Sequence, residues 1–176
     1  MVEWEILTAL WEWHSPARDF FFTHITMLGD GGVLWIALGL LLLLRKKYRK
    51  QGVLLLLCLL ISFLIGNVFL KNLVQRSRPC WMYPNVPLLV ANPRDFSFPS
   101  AHTMVGFAGA TALWHTDRRF GVAAYVVAAL IAFSRLYLTV HWPTDVLAGM
   151  ALGIAVGHFV FYIARKREGE AAYEDV

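Results

Sequence analysis

The chain has 176 residues, enough for one domain, and it is 58% hydrophobic with only 16% charged residues. Its charges form short clusters separated by long uncharged stretches, which excludes an ordinary soluble domain and indicates a helical membrane protein. The formal net charge of +4 does not predict nucleic-acid binding, because the basic residues lie at the ends of apolar runs, where they meet lipid headgroups.

The first 29 residues precede the clear apolar runs. Aromatic and aliphatic side chains within residues 4–13 predict a short amphipathic helix at the membrane interface. Ser15 and Pro16 predict the N-cap and the first position of a second helix, which stops at the glycine-rich residues 29–32. Residues 1–29 are therefore expected to be either an interfacial segment or a short first membrane helix, and we favour the helix.

Five further segments predict membrane-spanning helices, because each is mostly apolar and ends near a charged cluster. The predicted spans are residues 31–44, 53–73, 100–116, 120–140 and 143–164. Several of them are short, so their polar ends must reach into the membrane. The sequence thus predicts an all-α integral membrane bundle of about six transmembrane helices in a single domain, residues 1–176.

Lysine and arginine clusters orient this predicted bundle, because basic residues are retained on the cytoplasmic side. The clusters are residues 45–50, 117–119 and 165–167. The loop 74–99 and the turn near residue 141 then lie outside. The polar tail, residues 168–176, is expected to be cytoplasmic and disordered.

Three groups of polar residues fall at the outer ends of the predicted spans. They are Lys71 with Arg78, then Ser100, Ala101 and His102, and finally Arg135, His141 and Asp145. Ionisable residues near lipid are costly and indicate a functional site. If the groups converge, the cations suit phosphate oxygens, and the helix start at Ser100 adds free backbone N–H groups.

The two histidines suit phosphoryl transfer. His141 and Asp145 are four residues apart at the start of the last predicted helix, so an i,i+4 contact is expected. A carboxylate on one ring nitrogen fixes the tautomer and raises the basicity of the other nitrogen. His102 is placed to protonate a leaving oxygen. The pattern predicts a histidine nucleophile that attacks phosphorus while cations stabilise the developing charge.

The motifs also carry a family resemblance. They read Lys71-x6-Arg78-Pro79, Pro99-Ser100-Ala101-His102 and Ser134-Arg135-x5-His141-x3-Asp145. In order and internal spacing they resemble the signature of the type-2 phosphatidic acid phosphatase (PAP2) superfamily, whose anion site vanadium haloperoxidases share. The resemblance implies that His141 forms a phosphohistidine, that Asp145 orients it, and that His102 is the general acid.

The same resemblance assigns the phosphate-binding residues. They are Lys71, Arg78, Ser100 and Arg135, with the backbone N–H groups near Ala101. The family commonly has glycine where this chain has Ala101, and we expect the anion site to tolerate the extra methyl group. Membrane members commonly have six spans and an active site on the outer face, which agrees with the orientation from charge bias.

The expected activity is metal-independent hydrolysis of a lipid phosphate or pyrophosphate without a cofactor. Undecaprenyl pyrophosphate is the leading substrate, by analogy with compact bacterial members, and phosphatidylglycerol phosphate and phosphatidic acid are the alternatives. Two other classes are a vanadate-dependent peroxidase and a non-catalytic lipid-phosphate binder or transporter. The membrane spans disfavour the first, and the His141–Asp145 pair disfavours the second. The substrate lipid and the oligomeric state stay open.

Other polar residues have weaker interpretations. Arg76 and Arg94 either extend the positive charge around the site or, as we expect, are solvated at the surface. Ser134 either bonds back to its own helix or contacts the substrate. The loop 80–97 is too apolar for a freely solvated loop, so we expect it to lie on the membrane and help to admit a lipid tail.

Overall fold

A computed structural model of the protein describes the backbone of residues 2–174 and the side chains of residues 2–169. All regular structure in this part is helical, which confirms the predicted all-α class. The helices are α1 (Val2–Glu12), α2 (Pro16–Met27), α3 (Val33–Leu44), α4 (Arg49–Phe63), α5 (Lys71–Val74), α6 (Pro79–Met82), α7 (Ala101–Thr116), α8 (Arg118–Tyr137) and α9 (Pro143–Glu174).

Both ends of α2 are explained by residues that favour a helix start or a turn. The hydroxyl of Ser15 accepts a hydrogen bond from the backbone N–H of Arg18, and Pro16 takes the first position of α2. After α2, Gly31 and Gly32 have φ values of 59° and 68°. Residues with a side chain rarely adopt this left-handed backbone conformation, so the glycine pair permits the sharp turn into α3.

The second predicted span departs from α geometry directly before the site. Leu64–Leu70 form a π-helical segment between α4 and α5. Within it, Gly66 lies against α7, since a Cβ there would be 2.9 Å from the sulfur of Met104. The helix then stops at Gln75, whose φ is 48°. Lys71 therefore stands at the end of a π segment, a feature frequent at functional sites.

Within the described residues, three helical stretches are long and apolar enough to cross a membrane, by length and composition. They are Lys46–Met82, Arg118–Tyr137 and Pro143–Gly169. The pair Pro16–Met27 and Asp30–Leu44, bent by 44°, makes a fourth if it counts as one span. These stretches identify a membrane protein, while the count of six spans stays a prediction.

Helix α7 is the centre of the bundle. Its residues 103–113 are almost all buried, and it packs against α4, α8 and α9. On α9, Gly149, Gly153 and Gly157 face α7 at four-residue spacing. A Cβ on Gly153 would lie only 2.3 Å from the carbonyl oxygen of Met104. The glycines therefore allow the close backbone approach that is common between membrane helices.

The outer surface of the long helices is apolar. Large exposed side chains include Leu44, Phe69, Phe120 and Phe159. A soluble protein rarely exposes such a continuous apolar surface, because water disfavours it. A surface of this kind is suited to lipid chains and agrees with the spans above.

Two of the basic clusters meet at one end of the bundle. Lys50, in the first turn of α4, forms an ion pair with Glu168 in α9. At the same end, Arg165 lies 3.4 Å from His115 near the end of α7. The motif residues meet at the opposite end, as described below. The membrane side on which each end lies stays a prediction.

The tail differs from the expectation. Helix α9 extends to Glu174, so the prediction of disorder is wrong for the backbone of residues 168–174. The physical reason is composition, since Ala, Glu, Arg and Lys are strong helix formers and continue a helix that is already nucleated. Residues 175 and 176 lie outside the described residues.

Candidate active site

The three motifs converge on one cavity of about 660 Å³. The predicted site residues that line it are Lys71, Arg78, Ala101, His102, Arg135 and His141. They come from the start of α5, the residue before α6, the first turn of α7, the end of α8 and the α8–α9 connection. Asp145 and Ser100 are fully buried and do not line the cavity.

The imidazole of His141 is buried and held on both sides. Nη1 of Arg78 lies 3.1 Å from Nε2, and the hydroxyl of Ser97 lies 3.4 Å from Nδ1. An arginine N–H can only donate, so Nε2 is an acceptor and the ring proton lies on Nδ1. Burial, and then the positive charges of Arg78, Arg135 and Lys71, lower the pKa of His141 well below 6.5. The ring is therefore neutral at pH 7, with a lone pair on Nε2.

His141 and Asp145 lie close together as predicted, but no direct hydrogen bond joins them. Nδ1 of His141 lies 3.6 Å from Oδ2 of Asp145, which is longer than a hydrogen bond. Oδ2 instead accepts hydrogen bonds from the hydroxyl of Ser97 and, at 2.9 Å, from the backbone N–H of Trp142. Sequence reasoning did not identify Ser97, whose position between the ring and the carboxylate depends on the packing of a loop.

Asp95 is another residue that sequence reasoning missed. Its carboxylate accepts a hydrogen bond of 2.7 Å from Arg78 and forms an ion pair with Lys71. Burial alone would raise the pKa of the Asp95 carboxyl, but the hydrogen bond and charge of Lys71, followed by those of Arg78, lower it to about 2. An anionic group therefore lies between two of the predicted phosphate-binding cations.

The two arginines differ in how completely they are bonded. Arg78 donates at 2.7 Å to the carbonyl oxygens of Asp95 and Val140, which fixes its guanidinium. Arg135 donates to the hydroxyl of Thr26. Its Nε is buried and has no hydrogen-bond partner within the described part of the chain. A buried unpaired donor is costly, so this N–H is available to an anion in the cavity.

His102 is oriented by a carboxylate from the α2–α3 turn. Its Nε2 lies 2.8 Å from Oδ1 of Asp30. The neighbouring Gly29 permits this approach, because a Cβ there would be 2.6 Å from Cδ2 of His102. Residues 29–32 were interpreted only as the end of a helix. A carboxylate among these glycines, at the outer end of a predicted span, was the signal for Asp30.

The start of α7 provides backbone donors rather than a free hydroxyl. Ser100 is the N-cap residue, but its hydroxyl accepts a hydrogen bond of 3.0 Å from Thr103, and its N–H donates to the carbonyl oxygen of Asp145. The N–H groups of Ala101 and His102 belong to the first helical turn and have no intrahelical acceptor. They lie at the cavity, and direct phosphate contact by the Ser100 hydroxyl stays a prediction.

The structure shows the surroundings of Arg76, Arg94 and Ser134, for which the sequence alone gave only weak interpretations. The expectation of a solvated surface residue is wrong for Arg76, whose Nη1 lies 2.7 Å from Oδ1 of buried Asp145. Arg94 is exposed, as expected. Ser134 is buried and its hydroxyl donates to the carbonyl oxygen of Ile131 at 2.6 Å, which confirms bonding back to its own helix.

The cavity also has an apolar part between α3 and α4. It is lined by Ile36, Leu40, Leu56, Leu59, Leu60 and Phe63. Leu40 and Leu60 are about half exposed on the outer surface, so this groove joins the lipid-facing side of the bundle. An apolar chain in the groove would place its polar end among the cations.

The loop 80–97 has less part in this groove than expected. Its apolar residues Leu88 and Val90 pack against a core cluster formed by α2, α8 and the residues after α8. The loop contributes Pro93 and Asp95 to the cavity wall. The packing accounts for much of the apolar character of the loop, and a role in admitting lipid stays a hypothesis.

Comparison with known proteins supports the same interpretation of the motifs. The PAP2 superfamily model matches residues 51–168. An undecaprenyl-diphosphatase from Sulfolobus acidocaldarius is 36% identical over 121 residues, which cover 68% of this chain and 58% of that protein. The match thus spans little more than half the length of this relative.

Two solved structures are similar over nearly the whole chain. A PAP2-type phosphatidylglycerolphosphate phosphatase from Bacillus subtilis has a TM-score of 0.77 and 30% identity, with 94% of this chain and 85% of that chain covered. Aquifex aeolicus LpxE has a TM-score of 0.80 and 30% identity, with 92% and 96% covered. The similarity therefore extends beyond the motifs to the arrangement of the helices.

Proposed function

We propose that this chain, a phosphatase that belongs to the PAP2 superfamily, removes a phosphate group from a lipid diphosphate, with undecaprenyl diphosphate as the first candidate. The reaction proceeds through a phosphohistidine and needs no metal ion. The observation that carries the proposal is the cavity, which joins a cluster of cations and histidines to an apolar groove.

The apolar part of the cavity suits the hydrocarbon chain of a lipid. It is lined by aliphatic and aromatic side chains of α3 and α4, so it can hold part of a prenyl or acyl chain. A cavity of about 660 Å³ holds only the first part of a long prenyl chain, and the remainder stays in the bilayer. The name of the Sulfolobus relative supports the same substrate class. Phosphatidylglycerol phosphate and phosphatidic acid are the alternatives.

The first chemical step forms a bond between His141 and phosphorus. Nε2 of His141 attacks the terminal phosphorus, and the bond from phosphorus to the bridging oxygen breaks. His102, whose protonated form is stabilised by Asp30 and by the bound phosphate anion, donates its proton to that oxygen, so the lipid leaves as a monophosphate. Arg78, which lies against Nε2 in the free enzyme, moves its N–H onto a phosphate oxygen. Arg78 and the other cavity cations stabilise the charge of the transition state.

The second step regenerates the enzyme. Neutral His102 takes a proton from a water molecule, and the resulting hydroxide attacks phosphorus as the bond to Nε2 breaks. Inorganic phosphate leaves and His141 returns to its neutral form. While the ring carries the phosphoryl group it is positively charged, and the nearby Asp145 carboxylate stabilises that charge.

The test is phosphate release by the purified protein in detergent with EDTA. The substrates are undecaprenyl diphosphate, phosphatidylglycerol phosphate and phosphatidic acid. We expect release from undecaprenyl diphosphate with the highest kcat/KM, and loss of detectable release in His141→Ala. Rapid quenching with alkali of enzyme mixed with terminally labelled diphosphate should trap an alkali-stable, acid-labile phosphoprotein in the wild type and not in His141→Ala.

His24→Ala is the matched control, because His24 is exposed and bonds only within α2, to the carbonyl oxygen of Phe20. It should retain the wild-type rate. The thermal midpoint of His141→Ala should confirm that the variant is folded. No release from any lipid by the wild type, or equal release from folded His141→Ala, would remove the proposal.

A further inference from the structure

Arg76 connects the site to the first helix of the chain. Its Nη1 lies 2.7 Å from Oδ1 of Asp145 and 2.6 Å from the hydroxyl of Thr144. Its Nη2 donates to the carboxylate of Glu3 in α1. The guanidinium also lies over the ring of Trp142, 5.3 Å from the centroid. Arg76 is therefore held on several sides and has little rotational freedom.

Asp145 depends on these contacts because it is fully buried. Oδ2 accepts from Trp142 and Ser97, whereas Oδ1 accepts from Arg76. A buried carboxylate that loses its cationic partner rotates toward other donors. Such a rotation would change the separation between Oδ2 and Nδ1 of His141, which is 3.6 Å here.

Glu3 fixes the other side of the arginine. Its Oε1 accepts hydrogen bonds from the backbone N–H of Thr144, at 3.0 Å, and from the hydroxyl of Thr144, at 2.7 Å. Glu3 thus binds the first turn of α9 as well as Arg76. The chain Glu3–Arg76–Asp145 therefore ties α1 to the first turn of α9, which carries the partner of the proposed nucleophile.

We propose that Arg76 is a positioning residue that keeps the Asp145 carboxylate directed toward Nδ1 of His141. This inference rests on the proposed function, in which His141 is the nucleophile. Arg76 does not line the cavity, so it acts through Asp145 and not on the substrate. Its loss should therefore lower kcat with little change in KM.

Removal of the Arg76 charge also changes the titration of His141. The ionisable groups around that ring are Lys71 from α5, Arg78 before α6, His102 from α7, Arg135 from α8 and Asp145 from α9. Without Arg76, the negative charge of Asp145 is not neutralised and the site has one positive charge fewer. Both changes favour the imidazolium form, so the acid limb of kcat/KM should move to higher pH.

The test compares Arg76→Met, Arg76→Lys and wild type, with phosphate release from the best lipid substrate measured between pH 5 and 8. We expect Arg76→Met to lower kcat by roughly 10- to 100-fold, with KM within about twofold and the acid limb shifted upward. Arg76→Lys keeps a positive charge and should restore the position of the acid limb. Arg76→Gln makes the same comparison if the methionine variant does not fold.

Arg118→Met is the matched control. Arg118 also lies over a tryptophan ring, 5.6 Å from the centroid of Trp114, but at the opposite end of the bundle. It should behave as wild type. An Arg76→Met or Arg76→Gln enzyme with the wild-type kcat and pH profile, or with lower thermal stability as its only change, would overturn the inference. Absence of activity in the wild type would instead overturn the proposed function.

Discussion

Asp95 shows how a single residue can set the affinity of the site for phosphate. Its carboxylate lies between Lys71 and Arg78, the two cations that are proposed to bind the phosphate. The substrate must therefore displace Asp95 or share the cations with it. With a pKa of about 2, the carboxylate is charged above about pH 4, and its ion pairs weaken only as the pH falls toward 2. The charge that Asp95 contributes to this competition is therefore constant between pH 5 and 8.

Asp95→Asn removes this competing charge. We expect inorganic phosphate to inhibit the variant more strongly than wild type, with an inhibition constant roughly two- to fivefold lower, the range expected for a half-exposed ion pair. Glu12→Gln removes one negative charge from an exposed position at the end of α1 and should leave the constant unchanged. Weaker inhibition of Asp95→Asn would instead mean that Asp95 organises the cations.

At the scale of helices, the pairing of α7 with α9 sets the geometry of the site. The first turn of α7 carries His102, and the first turn of α9 carries Asp145. The N–H of Ser100 donates to the carbonyl oxygen of Asp145, which joins the two helix starts directly. Gly149, Gly153 and Gly157 on α9 allow the two backbones to lie close enough for this bond. A displacement of α9 would therefore separate the acid from the nucleophile.

Gly153→Ala tests this pairing. The new Cβ would meet the carbonyl oxygen of Met104 at 2.3 Å, and backbone atoms cannot rotate away. We expect a loss of about 1–3 kcal/mol of stability, seen as a lower thermal midpoint, together with reduced kcat. Gly169→Ala on the same helix has no neighbouring atom within 4 Å, so it should not lower the midpoint. Equal midpoints for the two variants would contradict a role for close packing.

At the scale of the whole molecule, the basic clusters and the candidate site lie at opposite ends of the helical bundle, and this separation determines the predicted orientation in the membrane. The basic cluster around Lys50 and Arg165 lies at one end, and the proposed catalytic residues lie at the other. The charge bias of the clusters predicts a cytoplasmic location for the first end. The site is then predicted to lie outside, where the headgroup of the proposed lipid substrate would reach it with its chain still in the bilayer.

Cysteine labelling in intact cells tests this orientation. Arg94 lies beside the site, Lys47 lies at the other end, and both are exposed. The native cysteines, Cys58 and Cys80, are buried and should react slowly. We expect a membrane-impermeant maleimide to label Arg94→Cys in intact cells and Lys47→Cys only after permeabilisation. The reverse pattern would place the site in the cytoplasm.

The sequence by itself determined the helical membrane class and the residues that meet at the site. Long uncharged runs can satisfy their backbone in lipid only as helices or closed barrels, so composition and run length were sufficient. Consecutive spans cross the membrane in opposite directions, so the end of one span and the start of the next lie on the same side of the membrane. This rule placed Lys71, His102 and His141 together at the outer ends of their predicted spans.

The tertiary structure alone decided the partners of these residues. Asp30, Asp95 and Ser97 lie in turns without periodicity, and no local pattern indicates what they contact. Arg76 was expected in solvent, because nothing in the sequence indicates that it contacts Asp145. In the structure the two side chains form a hydrogen bond of 2.7 Å. Local spacing determines which side of a span a residue occupies, whereas the hydrogen-bond partner of a buried charge depends on how separate segments pack.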